Sequence, residues 1–101
     1  LSLNKVKRNY HKEVEEWVKM LPKFKSLTPK YTLFFKGNRK KDIDNYIFPV
    51  HKFLMDALVE SGIIEDDNYD YVRGFTVSFG ESGAKRNLVI VTLSGEEYGN
   101  K

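Results

Sequence analysis

One segment of this chain, residues 46–64, constrains the fold most strongly, because it has the pattern of a single amphipathic helix with an acidic cluster at each end. The cluster Asp42-Ile43-Asp44-Asn45 precedes it, and the cluster Glu65-Asp66-Asp67 follows it. The apolar residues at helical spacing are Val50, Phe53, Leu54, Ala57 and Leu58. Gly62 is expected at C′, directly after the helix ends. A helix that folds back on a core would bring the two clusters toward one place.

Carboxylates that converge in this way repel each other unless something neutralises them. Two like charges about 5 Å apart cost roughly 3 kcal/mol at an effective dielectric constant of about 20. A divalent cation relieves this repulsion, and Mg²⁺ in particular prefers carboxylate and water oxygens. The two clusters therefore predict a divalent-metal site. The alternative is that the acids only cap the helix and form turns.

Basic residues are concentrated in the first part of the chain. Residues 1–41 hold twelve of the seventeen Lys and Arg residues and three acids, whereas residues 42–101 hold five bases and eleven acids. The run Lys36-Gly37-Asn38-Arg39-Lys40-Lys41 directly precedes the first acidic cluster. Acids for a metal beside bases for a polyanion indicate a metal-dependent enzyme that acts on nucleic-acid phosphate. The alternative for the basic run is an ordinary solvated surface.

Length and composition favour one globular domain over residues 1–101. Of the 101 residues, 41% are hydrophobic and 14% aromatic, which is typical of a folded domain with a modest core. No apolar run approaches the ~20 residues of a membrane span, and the N-terminus is too polar for a signal peptide, so we expect a cytoplasmic protein without membrane association. Cysteine is absent, which excludes disulfides and thiolate zinc sites. The chain does not begin with Met, which leads us to expect trimming at its N-terminus.

The remaining patterns predict an α+β (mixed α/β) fold, in which a small sheet of about three to four strands packs with two helices. The expected elements are a helix over residues 4–20, a connector over 22–29, strands over 31–35, 71–79 and 87–93, a hairpin loop over 80–86 and a frayed tail over 94–101. The strand over 87–93 is nearly all apolar, so we expect it to be central in the sheet.

The start of the second helix is left open by the sequence. Pro49 fits best at the first helical position, which places the start near Phe48. Alternatively, Asp44 or Asn45 caps an earlier first turn, and Pro49 bends the helix.

Four side chains of the predicted helices are expected to have ordinary roles. Asp56 follows Lys52 by four residues, so an ion pair is its expected role. His11 and His51 have no partner at a metal-ligand spacing, and we expect both to lie on helix surfaces.

Three ordered blocks of this sequence resemble the RusA-type Holliday junction resolvases, in a phage-like variant. The blocks are Asp42-x-Asp44-Asn45, then Lys52-x-x-x-Asp56-Ala57-Leu58, then Gly62-Ile63-Ile64-x-Asp66-Asp67. The family consists of small homodimeric Mg²⁺-dependent nucleases that cut four-way DNA junctions in recombination and repair. The resemblance implies an endodeoxyribonuclease that uses Mg²⁺, for which Mn²⁺ can substitute. It also implies a mixed α/β fold, branched DNA as the substrate, a homodimer, and a bacterial or phage-encoded protein.

The resemblance also implies a role for each block. The catalytic residues would be Asp42, Asp44, Asp67 and Lys52, and the metal ligands would be Asp42, Asp44, Asp67 and Asp66. The nucleic-acid contacts would come from Lys36, Arg39, Lys40, Lys41, Lys85 and Arg86. Two alternatives stay open: a relative that binds junctions but cuts poorly, and a structural or interaction protein whose acids only cap and turn.

The chain departs from the family pattern at the basic residue. In that pattern a Lys lies four residues after the second Asp of the DxDN motif, and here Phe48 occupies that position. Lys52 matches when the count runs back from Asp56, so the chain carries four extra residues near 46–49. We expect them to be absorbed at the helix start as a loop or kink, which would leave Lys52 directed toward the acids. If Lys52 is displaced, its role passes to another base such as Lys41.

Overall fold

The computed structural model describes residues 2–4, 7–37, 42–81, 83–85 and 87–98. Its helices and strands follow in the order β1 (Ser2–Asn4), α1 (Lys7–Val18), β2 (Phe24–Phe34), α2 (Asp44–Glu60), β3 (Thr76–Phe79) and β4 (Leu88–Glu97). Two helices and one mixed sheet confirm the predicted α+β fold. α1 is shorter than predicted, and the chain before it forms β1, which pairs with β4. Neither of these two helices of the described chain is long and apolar enough to cross a membrane.

The sheet has the strand order β1-β4-β2-β3, so β4 and β2 are its central strands. β2 pairs with β4 in antiparallel orientation and with β3 in parallel orientation. The hairpin predicted for residues 80–86 is therefore wrong, because β3 and β4 lie on opposite sides of β2. The segment between them crosses the end of β2, where Gly83 donates its N–H to the Gly37 carbonyl oxygen at 2.9 Å and Lys36 forms a bridge with Ala84.

β2 begins at Phe24, within the segment that the sequence assigned to a connector. The prolines around this segment masked the strand pattern, yet Pro29 is buried inside β2. Leu27 directs its N–H to the Tyr71 carbonyl oxygen, on the side of β2 away from β4. Backbone N–H groups alternate along a strand, so the missing N–H of Pro29 faces the same side, just before the pairing with β3 starts. Pro29 therefore costs the β2–β4 ladder no hydrogen bond.

β4 extends further than the sequence indicates. Residues 94–97, expected within a frayed tail, pair with the first half of β2. Gly95 permits this pairing, since a Cβ at this position would lie 2.7 Å from the Cα of Leu27. The polar composition of the segment has low strand propensity and hid the extension. The predicted central position of this strand is confirmed.

The helices and the sheet share one apolar core. Its buried members include Tyr10, Val14 and Val18 of α1, Leu54, Ala57 and Leu58 of α2, and Tyr31, Leu33, Val89 and Val91 of the sheet. Val50 and Phe53 pack against this core, so the apolar stripe predicted for α2 is confirmed. The Tyr10 hydroxyl donates to the Val50 carbonyl oxygen at 2.8 Å and joins α1 to α2.

α2 ends as the sequence predicts. Gly62 has a φ of +76°, which favours glycine. Its N–H donates to the Val59 carbonyl oxygen at 3.0 Å, and the Ile63 N–H donates to the Leu58 carbonyl oxygen at 2.9 Å. These two bonds form a Schellman motif with Gly62 at C′. Ile63 and the following residue are buried, so the chain turns back against the core before the second acidic cluster begins.

Candidate functional site

The first acidic cluster lies at the N-terminal end of α2. Asp42 and Asp44 are both exposed, and α2 begins at Asp44 with Ile43 at the N-cap. No side chain makes a capping hydrogen bond there, so the predicted capping role of Asp44 or Asn45 is wrong. Asp44 instead lies in the first helical turn, where the positive end of the helix dipole favours a carboxylate.

The four residues that are extra relative to the RusA-type pattern, residues 46–49, are helical. α2 runs from Asp44 through Glu60 with Pro49 inside it, so residues 46–49 form neither a loop nor a late helix start. Four residues add about one turn, or ~6 Å, to the helix. Lys52 therefore lies eight residues after Asp44, about 12 Å along the axis. The expected loop at the helix start is wrong, because the helix continues through these residues, whereas a kink at Pro49 stays a prediction.

The second acidic cluster lies in a loop that its own side chains hold together. The Asp67 N–H donates to Asp66 Oδ1 at 2.8 Å, and Asn68 Nδ2 donates to Asp66 Oδ2 at 3.2 Å. The Asp70 N–H donates to Asn68 Oδ1 at 2.9 Å. Asp66 is therefore occupied in shaping the loop. The Asp67 carboxylate makes no hydrogen bond within the described residues and is exposed.

Lys52 has an ion-pair partner, and the charge of Asp67 also acts on it. Its Nζ lies 3.1 Å from Asp56 Oδ1, and both side chains are exposed, so the predicted ion pair is confirmed. The hydrogen bond and charge of Asp56 raise the pKa of Lys52, and the charge of Asp67 raises it further. The amine thus contacts Asp56 directly, whereas Asp67 acts on it through its charge. An exposed pair of this kind contributes little to stability, so the amine is free to exchange Asp56 for another anion.

His51 has a more specific environment than the sequence suggests. Its Nδ1 lies 2.6 Å from the Tyr31 hydroxyl, and its ring stacks on Phe75 with centroids 4.2 Å apart. Burial lowers the pKa of His51, and the negative charge of Asp67 opposes that shift. Sequence reasoning assigned His51 to a helix surface, since its partner Tyr31 lies on β2, twenty residues away. No local spacing signals such a contact.

His51 and Lys52 are neighbours in α2 and lie about 100° apart around its axis, and Asp67 follows the helix. The charge of Asp67 acts on both side chains. Asp44 lies seven residues before His51, which places it on the same side of the helix, about 10 Å along the axis. Among the residues that the structure describes, no three His, Asp or Glu side chains lie close enough together to hold a metal ion. The metal site of Asp42, Asp44 and Asp67 therefore stays a prediction.

The chemistry of these carboxylates suits Mg²⁺, but their arrangement does not form a ready three-ligand site. Mg²⁺ usually keeps several waters and binds through one or two carboxylates together with substrate phosphates. Asp67 is a candidate for such a role, because its carboxylate is exposed, makes no hydrogen bond to the described residues and acts on Lys52 through its charge. Any contribution from Asp44 requires substrate or metal to bridge the distance between the two ends of α2.

Part of the predicted nucleic-acid surface can be located. Lys36 and Lys85 are exposed and lie where the segment after β3 crosses the end of β2. The Lys36 N–H donates to Asn87 Oδ1 at 2.7 Å, which fixes the backbone at this crossing. Arg39, Lys40, Lys41 and Arg86 lie outside the described residues. The structure therefore brings together two of the six predicted basic contacts.

Compared with known protein families and with curated proteins, the chain matches neither a family model nor an individual sequence. The resemblance to RusA-type resolvases therefore rests on its three sequence blocks alone.

Proposed function

We propose that this chain is a Mg²⁺-dependent endonuclease that resolves Holliday junctions or other branched DNA. The observation that best supports the proposal is the exposed carboxylate of Asp67, whose charge raises the pKa of Lys52 and opposes the lowering of the pKa of His51. A carboxylate for a metal beside an exposed ammonium for a phosphate is the pairing that phosphodiester hydrolysis requires. The three sequence blocks support the same activity, since the second and third of them converge here.

The proposal includes a homodimer in the cytoplasm. Resolution of a four-way junction needs paired cuts in two strands, and a two-fold dimer supplies two equivalent sites for them. Light scattering of the purified chain, alone and with a synthetic junction, measures this state directly. A two-to-one protein-to-junction complex is the expected result, and a complex with a single protein copy contradicts it.

The experiment that tests the activity compares a synthetic four-way junction with a linear duplex of the same sequence. The wild-type chain should cut the junction in Mg²⁺ and in Mn²⁺, leave the duplex largely intact, and lose all cleavage in EDTA. Cleavage that persists in EDTA contradicts a metal-dependent mechanism. Absence of both binding and cleavage contradicts the nuclease and leaves the acids with local structural roles in the first turn of α2 and in the loop after it.

A second candidate function is junction binding without cleavage. It is favoured by the additional turn of α2, which separates Asp44 from Lys52, and by the lack of a three-carboxylate group in the described residues. Tight junction binding in Mg²⁺ without product after prolonged incubation would support this candidate. A product that accumulates with Mg²⁺ concentration would exclude it.

A further inference from the structure

His51 and Tyr31 form a polar contact at the edge of the apolar core. Tyr31 is fully buried, and its hydroxyl has one partner within the described residues, His51 Nδ1 at 2.6 Å. Phe75 stacks on the imidazole from another side, with an angle of 28° between the ring planes. Two independent contacts therefore fix the orientation of the His51 ring.

This contact determines which imidazole nitrogen carries the proton. A buried hydroxyl hydrogen that makes no bond is costly, so the Tyr31 O–H donates to Nδ1. Burial raises the pKa of Tyr31, so the hydroxyl keeps its proton for this bond. Burial also lowers the pKa of His51, which favours the neutral ring. With Nδ1 as the acceptor, a neutral imidazole carries its hydrogen on Nε2.

The second nitrogen is directed to a place that a ligand can reach. Nε2 has no hydrogen-bond partner within the described residues, and no buried side-chain nitrogen or oxygen there lacks a partner. Nε2 is therefore accessible to solvent. It opens onto the surface of α2 one residue before the exposed Lys52, and the charge of Asp67 acts on the ring. A neutral N–H donor at this point cannot act as a general base.

We propose that His51 donates a hydrogen bond from Nε2 to a phosphate oxygen of DNA bound along this surface of α2, with Tyr31 as the residue that positions the ring. The role rests on the proposed function, because it needs branched DNA at this surface. Phosphate oxygens receive most protein–DNA hydrogen bonds, and side-chain N–H groups are common donors to them. The Asp67 carboxylate repels a phosphate, and the Lys52 ammonium offsets that repulsion.

The test measures binding of a synthetic four-way junction in EDTA by fluorescence anisotropy, so that no cleavage occurs. His51→Phe keeps an aromatic ring against Phe75 but has no donor, and it should weaken binding about tenfold, which corresponds to ~1.4 kcal/mol. His51→Gln offers an N–H near the position of Nε2 and should retain most of the wild-type affinity. Tyr31→Phe should weaken binding less than His51→Phe, since the ring remains but loses its fixed orientation.

The matched control is His11, the second histidine of the chain. It also stacks on a phenylalanine, with its centroid 3.7 Å from that of Phe53, but it has no hydroxyl partner within the described residues. His11→Phe should bind the junction as the wild type does. Melting temperatures of all variants identify any loss of affinity that comes from unfolding.

A second readout does not depend on DNA. Nitrogen NMR of the labelled wild-type chain should show the His51 proton on Nε2, and Tyr31→Phe should produce a mixture of both tautomers. A wild-type proton on Nδ1 would overturn the inference, as would a folded His51→Phe variant with unchanged affinity. If the wild type binds no junction at all, the proposed function and this inference both fail. If the wild type binds and His51→Phe binds equally well, the inference alone fails.

Discussion

The two ends of α2 differ in how firmly the chain holds them. At the C-terminal end, a Schellman motif at Gly62 and a hydrogen-bonded loop over residues 66–70 position Asp67. At the N-terminal end, Asp44 is exposed and no side chain caps the helix. In the sequence the two acidic clusters look equivalent, since one has two carboxylates and the other has three. In the structure they differ, because the second cluster is held by hydrogen bonds and the first is not capped by any side chain.

The difference indicates which part of the proposed site is formed before any substrate binds. The Asp67 carboxylate is held in an ordered loop, and its charge acts on both Lys52 and His51. Asp44 lies about one helical turn, or ~6 Å, farther from Lys52 than the family spacing would put it. We therefore expect the C-terminal end to bind metal and phosphate first and the N-terminal end to complete the site.

The largest expected effect comes from removal of one carboxylate charge. Asp67→Asn should abolish junction cleavage, by roughly 10³-fold or more, because a metal ligand supplies several kcal/mol of transition-state stabilisation. Asp44→Asn should also abolish cleavage if both ends serve one site. Gel assays of single-turnover cleavage measure both variants, and binding should be nearly unchanged.

The control for these carboxylate variants is Asp70→Asn in the same loop. Asp70 is exposed, and within the described residues it joins the loop's hydrogen bonds through its backbone N–H and not through its carboxylate, so this variant should cut normally. An active Asp44→Asn variant beside an inactive Asp67→Asn variant would show that the N-terminal end has no part in catalysis. An active Asp67→Asn variant would show that the metal site is misassigned.

The next effect concerns the lysine between the two ends. Lys52→Ala should lower cleavage roughly 10²–10³-fold with little change in binding, as expected for loss of one donor to a developing charge. Asp56→Asn is the matched variant, because it removes the ion-pair partner and leaves the amine in place. It should leave cleavage unchanged or raise it. Normal turnover of Lys52→Ala would transfer the role to another base such as Lys41.

The basic run before α2 should affect binding rather than chemistry. Replacement of Arg39, Lys40 and Lys41 with Ala should reduce the salt slope of junction binding by up to about three, near one unit per lost phosphate contact. The control replaces Lys12, Lys19 and Lys23, three exposed lysines elsewhere on the chain, and so makes the same change in net charge. Equal slopes for the two triple variants would assign the run to ordinary solvated surface.

The smallest expected effect tests the rigidity of the C-terminal end. Gly62→Ala should destabilise the fold by about 1–2 kcal/mol, because an alanine is strained at a positive φ. For a domain near this size, each 1 kcal/mol lowers the Tm by about 4–8 °C. Gly62→Asn should cost less, since asparagine tolerates this conformation. No atom lies within 4 Å of a Cβ placed here, so the cost is in the backbone alone. Equal melting temperatures for the three proteins would contradict the argument.

Local patterns predicted the parts of the fold that depend on local rules. The apolar stripe of α2 and the Lys52–Asp56 pair follow from spacings of three or four residues, and the glycine that ends α2 follows from its freedom to adopt a positive φ. The α+β class and the central position of β4 follow from alternation and an apolar run.

The wrong predictions about the fold have a different cause, which is that they depend on pairing between residues far apart in the sequence. The parallel pairing of β3 with β2 and the extension of β4 to Glu97 depend on which strands meet, and no local pattern encodes that. Pro29 predicts the end of a strand from the sequence alone. Its place inside β2 is explained only when it is known that its missing N–H faces the side away from β4. The contact between Tyr31 and His51 likewise joins a strand to a helix across the core. Asp44 and Asn45 are common capping residues, which is why a cap was predicted at the helix start. Neither caps α2, because the helix begins at Asp44 with Ile43 at the N-cap.

The most direct test of the account is whether both ends of α2 respond to one metal ion. Mn²⁺ broadens the amide signals of residues near it, and nitrogen-labelled protein bound to a non-cleavable junction allows each end to be followed separately. A shared metal site predicts that amides of residues 42–45 and of residues 66–68 broaden together at the same low Mn²⁺ concentration and recover in EDTA. Broadening at residues 66–68 alone, or at neither end, would contradict a site that the two ends of α2 share.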